Sequence, residues 1–213
     1  MTRRVPRSVT EAAIYYVQST YTDYWQLAEV APRTPGRVKR AQTPLGVYDA
    51  REVSREGCYL RLISIVEAYV DTVSSALLRE QLPTTPELLR NILEQVDLSS
   101  SSTWQDRRDA FARFHRIQLG ELPRWSELDA AIEVRNSVAH GLGQLTARQR
   151  SGTAARKIAQ VGVGVADGRV AISPSSLARC RDVCIGFIRG PDGVLPESPV
   201  DNRHGAQELR RSM

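Results

Sequence analysis

The stretch 47–81 constrains this chain more than any other. Leu60, Ile63, Val66, Val70, Val73 and Leu77 recur at steps of three and four residues, which places them on one face of an α-helix. The segment reads as one long helix. Gly57 is a weak point near its start, and Pro83 ends it.

The flanking segments follow the same period. Residues 9–30 read as a helix whose core stripe is Ile14, Val17, Tyr21, Tyr24 or Trp25, and Ala28. Its tyrosines and Trp25 are expected in the core rather than as a base-stacking platform. Residues 31–46 hold Pro32, Pro35, Gly36, Pro44 and Gly46 and read as a loop. A short helix is expected over 86–97, followed by a serine linker at 99–102. Thr103 can cap a helix over 104–119 with Trp104, Phe111, Phe114 and Ile117 on its apolar side. The next helix starts at Ser126, where Ser126 and Asp129 resemble a capping box, and Gly141 is placed to stop it. Leu128, Ala131, Ile132, Val138 and Ala139 carry its buried stripe. A further helix is expected within 145–160, a small β-hairpin at 161–172 around Asp167-Gly168, and a last helix from Pro174 to about 189. Gly162, Gly164 and Gly168 fit neither the dinucleotide nor the P-loop spacing. The fold expected is all-α, a bundle of five to six helices with one hairpin.

Of the 213 residues, 41% are hydrophobic and 25% charged, which suits a folded protein with a real core. One domain over 8–190 is expected, with a disordered tail over 191–213. No apolar run approaches the ~18 residues of a membrane span, so no membrane association is expected. The start, MTRRVPRSVT, is basic without an apolar stretch behind it, so no secretory leader is expected and the cytoplasm is the default. Cys58, Cys180 and Cys184 form no disulfide framework and no metal-ligand spacing, and they read as small buried residues. No metal or other cofactor is expected. The net charge of +5 permits a polyanionic partner. Basic residues gather at Arg3, Arg4 and Arg7, at Arg33, Arg37, Lys39 and Arg40, and at Arg148, Arg150, Arg156 and Lys157.

The chain has three histidines, His115, His140 and His204. His140 closes a helix in the phrase Arg135-Asn136-Ser137-Val138-Ala139-His140-Gly141. Asn136 and His140 are four apart and share a face. Arg135 and His140 are five apart, about 140° around the helix axis. One helix therefore aims them in different directions. A two-fold axis beside the helix would bring arginine and histidine from two chains to one cleft.

RNSVAH matches the R-x4-H motif of the HEPN superfamily, with its polar residue after the arginine. The wider phrase ELDAAIEVRNSVAHGLGQLT resembles the RiboL-PSP-HEPN-like branch, in which the motif helix is followed by a glycine and polar segment, a hairpin and a final helix. Glu67, in ISIVEAYV, resembles a second-helix glutamate of many HEPN domains. The likeness covers residues 10–190 in pattern and about 20 residues in detail.

The resemblance implies a HEPN-like helical bundle acting as a homodimer. It implies a metal-independent RNA endonuclease, in a defence or toxin–antitoxin setting, that uses the RNA's own 2′-OH and leaves a cyclic phosphate and a 5′-hydroxyl. On that reading His140 is general base or acid, Arg135 holds the scissile phosphate, and Asn136 orients His140 or a phosphate oxygen. Arg148, Arg150, Arg156 and Lys157 would bind the RNA strand. The alternative for Arg135 is a structural role, in an ion pair with Glu67 or Asp129. An antitoxin or other defence-system partner is implied with it. Family toxins that carry a tyrosine soon after the histidine are modified there, whereas Gly141-Leu142-Gly143 follows here. Two rival readings stand beside the nuclease: a non-catalytic HEPN module binding a partner protein or nucleotide, and a purely structural helical protein.

Overall fold

A computed structural model describes residues 7–30, 40–43, 46–81 and 101–194. The expected helix at 86–97 lies outside them, as does the chain beyond Val194. The described residues are mainly helical, with seven helices and two small antiparallel hairpins. None of these helices is long and apolar enough to cross a membrane.

Helix α1 (Arg7–Tyr24) widens into a π-helical stretch, Trp25–Val30. It buries Thr10, Ala13, Val17 and Tyr24, with Ile14, Tyr21 and Ala28 packed against the core. Of the stripe's aromatic residues, Tyr24 is buried and Tyr21 packs against the core, whereas Trp25 is 39% exposed; Tyr15 and Tyr16, off the stripe, are exposed as well. Tyr24 rather than Trp25 takes the core position. The wider π turn follows at once, and Trp25 stacks on Tyr21, whose ring Arg181 covers at 4.4 Å.

The loop expected over 31–46 holds a strand instead. β1 (Arg40–Thr43) pairs with β2 (Gly46–Asp49), from Arg40 opposite Asp49 to Thr43 opposite Gly46. Asp49 then starts α2 (Ala50–Gln81): its Oδ1 accepts the Arg51 and Glu52 backbone N–H groups at 2.9 and 3.2 Å. That supplies two of the donors a helix start leaves unmet. Tyr59, Leu62, Ile63, Val66, Val70, Val73 and Leu77 of α2 are buried, and the helix packs against α1 and two later helices.

Thr103 caps α3 (Trp104–Ala110) as expected, its hydroxyl accepting from the Asp106 N–H. The helix does not reach 119. It passes into a π turn, Phe111–His115, and stops at Arg116, which is left-handed at φ 59°. Arg107 on α3 makes a two-pronged ion pair with Asp71 of α2, both bonds 2.8 Å, and His115 Nε2 meets Ser74 Oγ at 3.0 Å.

Helix α4 (Trp125–Gly141) begins after Arg124, again left-handed, and no side chain caps it. The expected Ser126–Asp129 box is not formed, because the helix starts one residue earlier, with Arg124 at the capping position and Ser126 already inside the first turn; Asp129 pairs with Lys157 instead. Leu142, not Gly141, takes the left-handed stop, with Gly143 following at φ 87°. Ala139 is exposed. The segment 145–160 is two short helices, α5 (Ala147–Arg150) and α6 (Ala154–Ala159), the first opened by a Thr146–Gln149 capping box. β3 (Gly164–Ala166) and β4 (Arg169–Ala171) form the expected hairpin. Asp167 and Gly168 both have positive φ, 50° and 73°, the two-residue turn that suits strand twist. Helix α7 (Pro174–Val194) runs past 189, so residues 191–194 are helical rather than tail. Gly190 permits it: a Cβ there would sit 3.1 Å from Pro123 Cδ. Cys58, Cys180 and Cys184 are buried and free, and burial pushes the Cys58 thiol up to about 12.

Candidate functional site

Helix α4 carries Arg135, Asn136 and His140 on two different sides. Arg135 faces α2. Its Nη2 lies 3.6 Å from Glu67 Oε2, and its Nη1 donates to Asn136 Oδ1 at 3.3 Å. Glu67 is itself fixed, since its Oε1 accepts the Trp104 indole N–H at 3.0 Å. A relay Trp104–Glu67–Arg135–Asn136 thus spans three helices. Of the two partners open to Arg135 from the sequence, the structure takes Glu67. The Arg135 side chain stays 28% exposed and Glu67 15%. The guanidinium is anchored on one side and open to solvent on another.

His140 stands at the exposed end of the same helix. Taking Arg135 as zero, ideal helix geometry puts Asp129, Glu133, Asn136, Ser137 and His140 within about 100–200° of it. The segment after α4 folds back on that side. Gln149 Nε2 donates to the Glu133 carbonyl and carboxylate, both at 2.8 Å, while its Oε1 accepts from Ser137 Oγ at 3.0 Å. Lys157 Nζ pairs with Asp129 and lies 4.0 Å from Glu133. The basic arm therefore lies on the His140 side of α4, away from Arg135.

The four basic residues expected on RNA are not equivalent. Lys157 is already neutralised by two carboxylates. Arg150 donates to the Leu145 carbonyl at 2.8 Å. Arg148 and Arg156 are exposed with no ion-pair partner among the described residues. No group of three or more His, Cys, Asp or Glu among the described residues could hold a metal ion.

Two contributors had no signal in the motif. Trp104 reads from sequence as one more apolar helix residue, and its N–H handle shows only when α2 is in place. Arg169 reads as a strand residue beside a turn. Its Nε bonds Glu52 at 3.1 Å and its Nη2 bonds Glu56 at 3.3 Å, both on α2. Burial raises the Glu56 carboxyl above its ordinary value, with the Arg169 charge opposing the rise.

An open groove of about 460 Å³ between α1 and α2, lined in part by Ala12, Tyr16, Arg61, Ser64 and Ala68, touches none of these residues. Compared with protein-family profiles, with curated proteins and with solved structures, the chain finds no match.

Proposed function

We propose that the chain is a metal-independent RNA endonuclease acting as a homodimer. The observation that supports it best is the state of the two key side chains on one helix. Arg135 is oriented by Glu67 yet partly open to solvent, and His140 is exposed at the helix end. Two contacts leave further N–H groups of a five-donor guanidinium for phosphate oxygens. An imidazole nitrogen can accept or give up a proton, so His140 can serve as general base or acid.

In the proposed reaction the RNA 2′-oxygen attacks the adjacent phosphorus as His140 removes its proton. The P–O5′ bond breaks, the 5′-oxygen takes up a proton, and a cyclic phosphate remains. Arg135 stabilises the charge on the non-bridging oxygens. Because Arg135 and His140 diverge by about 140° on one helix, each centre draws Arg135 from one chain and His140 from the other.

The test is purified protein with mixed RNAs in EDTA. Cleavage is expected to survive chelation and to vanish in His140→Ala. Mixing Arg135→Ala with His140→Ala chains is expected to restore activity, since the mixed dimer keeps one intact centre. Intact RNA at every enzyme concentration would sink the nuclease reading and favour a non-catalytic module, in which the Glu67–Arg135 pair is structural only. Full activity from a monomer would sink the shared centre.

A further inference from the structure

The residues just after α4 are fastened to the hairpin, and the hairpin is fastened to α2. Val170 N–H donates to the Gly143 carbonyl at 2.9 Å, and Leu145 N–H donates to the Gly168 carbonyl at 2.7 Å. Gln144 bridges Arg169 in antiparallel fashion. The Arg169 guanidinium closely approaches Gly143. A Cβ at Gly143 would meet Glu56 Oε1 at 2.9 Å and Arg169 Cζ at 3.2 Å. Only glycine, also left-handed here at φ 87°, lets this approach happen. Arg169 then reaches Glu52 and Glu56, one turn apart on α2.

The same α2 holds Arg135 through Glu67. From Glu56 to Glu67 the helix rises about 16 Å, and from Arg135 to Gly141, where α4 ends, α4 rises about 9 Å, with Gly143 two residues further on. The two helices run antiparallel, with Glu67 at Arg135 and Glu56 at Gly143. One rigid helix therefore grips the Arg135–His140 segment at both ends.

We propose that Arg169, clamped by Glu52 and Glu56, is a positioning residue that sets the place of His140 through Gly143. It touches no reacting atom. The part that concerns catalysis rests on the nuclease reading, while the placement of His140 does not.

The experiment separates the two. The full chain has only three histidines, so the ring resonances of His140 can be assigned by comparison with His140→Ala and followed without RNA. In Arg169→Ala the His140 signals are expected to shift from their wild-type positions while the buried His115 signals stay put. Arg169→Lys, which keeps one charge for the carboxylates, is expected to restore them in part. With RNA, kcat is expected to fall about 10- to 100-fold with KM changed less than about threefold, the pattern of a misplaced catalytic group. Where Arg169→Ala does not fold, Glu56→Gln is the second variant and is expected to shift His140 in the same direction. His140 signals unmoved in the folded variants would overturn the proposal, whatever the RNA assay gives. A wild-type chain that never cleaves RNA, with His140 still displaced by Arg169→Ala, would remove the nuclease reading and keep the positioning.

Discussion

Glu67 holds two unlike partners, and a short series of substitutions separates them. Its Oε1 accepts the Trp104 indole N–H at 3.0 Å, and its Oε2 faces Arg135 Nη2 at 3.6 Å. Glu67→Gln keeps an acceptor for the indole and removes the charge. Glu67→Leu removes both and strands the indole N–H and the guanidinium. Exposed ion pairs contribute about 0–1 kcal/mol, whereas breaking a buried one costs about 3–5 kcal/mol. With Glu67 15% and Arg135 28% exposed, this pair lies between those cases. Water reaching Arg135 favours the lower half, so Glu67→Gln is expected to cost about 1–2 kcal/mol. An indole N–H without an acceptor adds about 1–3 kcal/mol, giving roughly 2–5 kcal/mol for Glu67→Leu. Trp104→Phe removes the same hydrogen bond from the other side. A double-mutant cycle of Trp104→Phe with Glu67→Leu is expected to give a coupling of about 1 kcal/mol or more. Urea unfolding followed by the helical circular-dichroism band reads all of these. Glu67→Gln and Glu67→Leu both as stable as the parent, with no coupling to Trp104, would refute the relay.

Two carboxylates, Asp49 just before α2 and Glu56 within it, give stability curves of opposite slope. The Glu52 N–H, and to a lesser extent the Arg51 N–H, hold Asp49 below its ordinary value of 3.8, so its contribution is complete above that value and lost as pH falls through the lowered native one. Asp49→Ala is expected to cost about 1 kcal/mol at neutral pH, with the deficit shrinking in acid. Glu56 is raised above its ordinary 4.5 by burial, so its contribution is full below 4.5 and is lost as pH climbs through the raised native value. Glu56→Gln is expected to flatten that part of the curve, and urea midpoints across pH check both slopes. On RNA, Arg148→Ala and Arg156→Ala are each expected to weaken binding and to reduce the salt dependence of log K by about 0.7. Lys157→Met is expected to lower stability without changing that slope, since Lys157 already serves Asp129 and Glu133.

Long elements with one buried face were readable in the sequence. The α2 stripe, the α4 stripe and the Asp167-Gly168 turn each follow from a repeat or a residue pair whose geometry is local. What was not readable depends on tertiary neighbours. β1 and β2 are four residues each, lack alternating apolar residues and flank Pro44, so nothing in their pattern separates them from a loop. The left-handed Arg116 and Arg124 are conformations that no arginine signals. Arg124 is held where its stem packs on Gly186, whose Cβ would sit 3.0 Å from Arg124 Cγ. The single helix expected over 145–160 breaks because Ser151-Gly152-Thr153 forms a turn between two short helices. At the candidate site, the angular split of Arg135 and His140 was visible from spacing alone. The contact to Trp104 and the Arg169 clamp were not, because they join residues 37 and 113 positions apart.

The acidic side of α2 explains why the motif helix has one register and not another. An apolar stripe with a three- and four-residue repeat tolerates a slip of one turn, because another apolar residue arrives at nearly the same place. A partly buried carboxylate does not tolerate it, since the slip leaves the charge without a partner. Along α2, Glu52 and Glu56 take Arg169 of β4, Glu67 takes Arg135 of α4, and Asp71 takes Arg107 of α3. Four carboxylates on the central helix thus fix three separate elements, and two of those fixings bracket His140. The charge pairs act on position more than on total stability, because much of each Coulomb gain is offset by desolvation. Hence the residues that decide where Arg135 and His140 stand lie on α2, more than 60 residues before the motif.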